Sequence, residues 1–106
     1  MLTKQHRFSF HSGTPKNSSH SHFFVLRYQR EEHLQVAIVV SKRVAPHAVD
    51  RNKVKRAYKR VIAKILTEYP ISYSLVFYAR KQSVAAKDEV LQHAIEQIFR
   101  KEGIIQ

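Results

Sequence analysis

A small α+β domain with helices packed on a sheet is the fold class this sequence predicts. Three observations carry it. Segments at 23–28, 34–41 and 72–80 are rich in aromatic and β-branched residues and read as strands. Two other stretches repeat their apolar residues with a helical period. The resulting order is strand, strand, helix, strand, helix, with no internal repeat. The 106 residues fit one domain spanning 1–106. A 43% hydrophobic content supports a single core, and 2 Gly and 3 Pro argue against a disordered or fibrous chain.

Residues 1–22 are the least regular. In "HSGTPKNSSHSH" Gly13, Pro15, Asn17 and the serines give loop chemistry. "FFVLRY" is the first strand, and "QREEH" follows as a polar turn. "LQVAIVVS" is the second strand. Leu34, Val36, Ile38 and Val40 share one face, and Ala37 and Val39 on the other face are also apolar. Such a strand is expected to be central and covered on both sides. After the loop "KRVAPHAVD", Val54, Ala57, Tyr58, Val61, Ile62, Ile65 and Leu66 mark one face of a helix. Asp50 suits its N-cap or first turn, and Pro70 lies beyond its end. "SYSLVFYAR" is the third strand. Val90, Leu91, Ala94, Ile95, Ile98 and Phe99 define the second helix, and Gly103 is a natural stop.

Charge narrows the function. The chain carries 19 Lys+Arg against 8 Asp+Glu, a formal net charge of +11. A small domain this basic is expected to meet a polyanion, nucleic acid first and an anionic membrane surface second. The cations are concentrated. Arg51, Lys53, Lys55, Arg56, Lys59 and Arg60 fall within ten positions. Projected on a helix, they and Lys64 cover the whole side opposite the apolar face. A merely solvated face would interleave Glu and Asp as i,i+4 partners, yet no acid occurs between Arg51 and Thr67. A phosphate-binding surface explains their absence. Lys42 and Arg43 join the patch if the loop folds back. Asn52, near the helix start, can bond a base edge or a 2′-hydroxyl, and the helix N-terminus favours an anion.

Other chemistries find little support. With no Cys, disulfides and thiolate metal sites are excluded. Among seven His, only His20 and His22 form a tight pair, so no metal site is expected. No Gly-rich phosphate loop, nucleophile elbow or paired carboxylates occur, and no catalytic residue is assigned. His47 could act as a base, but reads first as a phosphate contact or a packed loop residue. Tyr58 reads as a core aromatic, while an exposed Phe8, Phe10, Phe23 or Tyr28 could stack on a base. No apolar run approaches a membrane span, and "MLTKQHRFSF" lacks a signal peptide's apolar stretch. A cytoplasmic protein without membrane or small-molecule partners is expected.

"SKR" followed by "AVDRNKVKRAYKR" resembles the signature of the bacterial ribonuclease P protein family. That signature reads roughly Ser-Lys-Lys, a spacer, then Arg-Asn-Arg-x-Lys-Arg-x-x-Arg. Ser41, Lys42 and Arg43 match its first part. Arg51, Asn52, Lys53, Lys55, Arg56 and Lys59 match the second, with Lys in place of Arg at 53 and 59. "VFYARK" is similar to the family's last strand, "FFVLR" to its first, and "SGTP" to the turn after its N-terminal helix. The sequence departs from the family in a shortened N-terminal helix, of which Phe8 and Phe10 remain, and in Arg60 where Glu is common.

The resemblance implies a roughly four-stranded sheet, with the basic helix in a left-handed βαβ crossover. It implies the accessory subunit of ribonuclease P, which removes the 5′ leader of precursor tRNA. The catalyst would be the RNA subunit, with Mg2+ required by the RNA-containing holoenzyme and no cofactor held tightly by the protein. Lys42, Arg43, Arg51, Lys53, Lys55, Arg56 and Lys59 would contact ribonuclease P RNA. Phe8, Phe10, Val25, Arg27 and Asn52 would line a leader cleft between the sheet and the N-terminal segment. The competing readings are a structural RNA-binding protein such as a ribosomal protein, a DNA-binding regulator and a protein-only nuclease.

Overall fold

The computed structural model describes residues 15–105. Phe8, Phe10 and the N-terminal helix that the resemblance implies lie outside the described residues. The elements are β1 (Asn17–His20), β2 (Phe24–Arg30), β3 (Gln35–Val39), α1 (Ala48–Glu68), β4 (Tyr73–Ala79) and α2 (Asp88–Lys101). The four strands form one mixed sheet in the order β1-β2-β4-β3. β2 runs antiparallel to β1 and β4, while β3 runs parallel to β4. The parallel pair needs a crossover, which α1 provides.

Alternation in the strands sets the two layers. Phe24 and Leu26 of β2, Val36 of β3 and Leu75, Phe77 and Ala79 of β4 belong to the core cluster. α1 adds Val54, Tyr58, Val61, Ile62 and Ile65 to it, and α2 adds Leu91, Ala94, Ile95, Ile98 and Phe99. Both helices therefore cover one face of the sheet. Tyr58 locks α1 in place. Its ring meets Phe24 edge-on at 6.2 Å and Phe77 at 5.8 Å, and its hydroxyl donates to the Phe23 carbonyl at 3.3 Å. Full burial of each such aromatic or branched aliphatic side chain contributes about 1.5–3 kcal/mol.

Gly103 ends α2 as expected. Its φ of 75° is the left-handed conformation that glycine tolerates. The Ile104 N–H then reaches the Phe99 carbonyl at 2.8 Å, and the Gly103 N–H reaches Arg100 at 3.2 Å. These bonds satisfy two of the helix's last carbonyls. The Tyr28 hydroxyl donates to Glu102 Oε1 at 3.1 Å and ties β2 to this end of α2.

Three expectations need correction. The stretch 17–20, read as loop, is strand β1, because Asn17, Ser18, Ser19 and His20 pair in register with Tyr28, Arg27, Leu26 and Val25. Ser21 makes the turn, its N–H donating to the Phe24 carbonyl and its hydroxyl accepting from the Phe23 N–H. Gln29 and Arg30, read as turn, continue β2 as far as β4 can pair with it. The apolar strand at 34–41, read as central, is the edge strand β3. The centre belongs to β4, where Ser74, Leu75, Val76, Phe77 and Ala79 are buried. Leu34 and Val40, flanking β3, are buried in the core cluster, so an apolar run here reflects packing against the core and not a central place.

Candidate nucleic-acid interface

α1 carries the cations on a ridge. Its apolar side is anchored on the sheet, so the opposite side projects into solvent. Asn52, Lys53, Arg56, Lys59, Arg60 and Lys64 are exposed, and Lys55 is half-buried. Among the described residues, no carboxylate forms an ion pair with Lys53, Lys55, Arg56 or Lys59. Asp50 lies in the first helical turn, where it complements the helix dipole. His47 occupies the N-cap without a side-chain bond to the helix, and it is exposed.

The loop before α1 is built by the same motif. The Ser41 carbonyl accepts the N–H groups of Val44 and Ala45, both at 3.1 Å. Lys42 and Arg43 are thereby held exposed in a tight turn. Arg51 closes the arrangement. One terminal nitrogen donates to the carbonyls of Ala45 at 3.0 Å and Pro46 at 2.8 Å, stapling the loop to the first turn of the helix. Arg51 thus organises the patch from within. Arg60 is also engaged. Its Nε lies 3.0 Å from Asp88 Oδ2 and its terminal nitrogen 3.2 Å from Asp88 Oδ1, a two-pronged pair with the start of α2. This partner holds the Asp88 carboxyl below its usual range, by hydrogen bonding first, and raises the Arg60 guanidinium.

The sheet face turned away from the helices is the second candidate surface. Register places His20, Val25, Tyr78 and Val39 in one row across the sheet, and Ser18, Arg27, Val76 and Ala37 in the next. Val25 and Arg27 are therefore neighbours on one face, as a cleft requires. Asn52 stands on α1, in the other layer, and does not share that face. Arg27 Nε donates to the Pro15 carbonyl at 3.0 Å, and Pro15 is buried. The incoming chain thus reaches the sheet at Arg27.

Sequence reasoning missed three residues of this face or its rim. Tyr78 is the aromatic beside Val25, and Arg80 brings its guanidinium to 3.3 Å from His20 Nδ1. Alternation within "SYSLVFYAR" set Tyr78 opposite Phe77. Its pairing with Val25 needed the β2–β4 register.

Burial pushes the Tyr58 phenol up to about 12, against a smaller opposite pull from the Ser83 hydroxyl. Its complete burial among core aromatics makes Tyr58 a structural group. Among the described residues, no three His, Asp or Glu side chains converge on a point that could hold a metal ion. No described helix is long and apolar enough to cross a membrane.

Fold and surfaces together define a nucleic-acid-binding α+β domain. A family model described as ribonuclease P matches residues 1–103, and the chain belongs to that family. Its family is the protein side of a ribonucleoprotein endoribonuclease that processes tRNA. The chain is 28% identical over 92 residues to the ribonuclease P protein component of Synechocystis, covering 85% of this chain and 74% of that one. It is 26% identical over 91 residues to the Bacillus cereus protein component, covering 84% and 78%. A Staphylococcus aureus RNase P protein, a mutant with defective mRNA degradation activity, superposes with a TM-score of 0.77 at 20% identity, covering 96% of this chain and 92% of that one. The RNase P protein of Thermotoga maritima gives 0.74 at 16% identity, covering 90% and 96%.

Proposed function

We propose that this chain assists removal of the 5′ leader from precursor tRNA by holding two RNAs at once. The exposed cations of α1 between Arg51 and Thr67, a stretch that carries no acid of its own, are the observation that carries the reading. Lys53, Lys55, Arg56 and Lys59, with Lys42 and Arg43 on the adjoining loop, neutralise phosphates of ribonuclease P RNA. Arg51 keeps that loop on the helix. The opposite sheet face, through Val25, Arg27 and Tyr78, takes the single-stranded leader by stacking and backbone contact with little sequence choice. The RNA subunit performs the cleavage and requires Mg2+. No step runs through a metal held by the protein. Cations on the protein reduce repulsion between leader and catalytic RNA, and so reduce the magnesium needed.

Family membership disfavours a purely structural RNA-binder. A helix-turn-helix DNA reader is disfavoured because a strand and a loop precede α1. The test is cleavage of precursor tRNA at low magnesium by a bacterial ribonuclease P RNA alone, by the protein alone and by both. Cleavage at the mature 5′ end in the mixture only is the expected result. Cutting by the protein alone would move the chemistry into this chain. A mixture no better than RNA alone, with tight salt-sensitive RNA binding retained, would favour the structural RNA-binder.

A further inference from the structure

We infer that Asp88 is an internal competitor for the RNA backbone, and that Arg60 serves as its clamp and not as an RNA contact. The inference rests on the reading that the outer side of α1 faces RNA. Asp88 opens α2, and the two-pronged geometry with Arg60 joins the two helices at one edge of the basic ridge. The pair is not sealed in the core. The side chains of Arg60 and Asp88 keep 60% and 47% of their accessible surface. A polyanion lying on α1 therefore meets an acid at this edge. Lys64, one turn beyond Arg60, is also drawn to Asp88. Among the described residues, Asp88 is the acid paired with α1, the other ion pair being Arg100–Glu96 within α2.

Two consequences follow from the electrostatics. Arg60 displaces no condensed counterion from the RNA phosphates, because its charge is already offset by a carboxylate. Asp88 also lies well within the Debye length of about 8 Å from any phosphate seated beside Arg60. It therefore weakens the contact. This sets a ceiling on affinity at that edge, and leaves the lysines and Arg56 to carry the salt-dependent contacts.

The experiment measures binding of the full chain to the same ribonuclease P RNA across a range of salt concentrations. The variants are Asp88→Asn, Arg60→Gln, the double variant, and Lys55→Gln/Lys59→Gln. Removing the acid should tighten binding roughly three- to tenfold at 0.15 M salt and steepen the log–log salt slope by up to about 1. Arg60→Gln should weaken binding and make the slope shallower, by leaving Asp88 unpaired beside the RNA. The double variant should return to within about twofold of wild type, since it replaces a neutral pair by a neutral pair. Thermal unfolding of each variant checks that it is folded. Should Asp88→Asn alone not fold, the double variant still decides, because an RNA contact at Arg60 leaves it as weak as Arg60→Gln, whereas a clamp returns it to the affinity of wild type. The inference is overturned if Asp88→Asn does not tighten binding, or if the double variant stays as weak as Arg60→Gln. The Lys55→Gln/Lys59→Gln variant separates the two levels. If it leaves affinity unchanged, the assignment of α1 to RNA fails. If it weakens binding while Asp88→Asn does nothing, only the competitor does.

Discussion

Arginine and lysine play different parts in this protein. Arg27, Arg51 and Arg60 each use the planar guanidinium on an internal partner: the Pro15 carbonyl, the Ala45 and Pro46 carbonyls, and the Asp88 carboxylate. A rigid fork suits that work, whereas lysine presents a point charge on a flexible stem. Lys at 53 and 59, where the family signature has Arg, therefore keeps the charge on the solvent side without the fork geometry. Tyr58 shows the converse, a polar group drawn into the core. Its phenol is raised to about 12, so the folded state keeps the proton that the unfolded chain loses near pH 10. The associated stability is intact below pH 10 and is lost as pH rises towards 12. The expected loss is roughly 2–3 kcal/mol over that window. Chemical denaturation of wild type and Tyr58→Phe between pH 9 and 12 checks it. The Phe variant should show a visibly flatter decline, and parallel curves would assign the effect to other groups.

At the scale of elements, the two helices end for different reasons. α1 stops at Tyr69, ahead of Pro70, in extended backbone. α2 stops on Gly103, at φ 75°, with nothing within 4 Å of where a Cβ would stand. The cost of Gly103→Ala is thus conformational and not a clash. It should destabilise the protein by about 1–2 kcal/mol, read as a lower denaturant midpoint with an unchanged slope. A neutral result would mean that the Ile104 and Gly103 backbone bonds can form without the left-handed residue. Both helices were legible in the sequence because their apolar residues repeat locally. β1 was not, because "NSSH" has no apolar alternation and becomes a strand only by pairing with β2. β3 was found, but its place at the edge depends on β4 inserting beside β2, which no local pattern records.

Across the whole molecule, charge is the controlling quantity. Of the nineteen basic residues, nine lie between Lys42 and Lys64 with one acid, Asp50, among them. Four of the eight acids instead fall at Asp88, Glu89, Glu96 and Glu102, on or just after α2. Such a surface repels itself until anions gather on it. Sulfate or phosphate at 100 mM should raise the thermal midpoint by at least about 5 °C over low-salt buffer, and by more than sodium chloride of equal ionic strength. No difference between the salts would argue against anion sites and for general screening alone.

The sequence by itself determined the segments and their chemistry. Side-chain period distinguishes strand from helix over a few residues, and the absence of acids from Arg51 to Thr67 marks a surface for a polyanion whatever the tertiary arrangement. Only the tertiary structure decided the strand order, the pairing of Tyr78 with Val25, the separation of Asn52 from the Val25–Arg27 face, and the capture of Arg60 by a carboxylate twenty-eight positions along the chain. Those facts depend on which distant residues come within about 3 Å of one another. Hydrogen bonds form only at that range, and the chain folds to bring such partners together, so a local pattern cannot encode them.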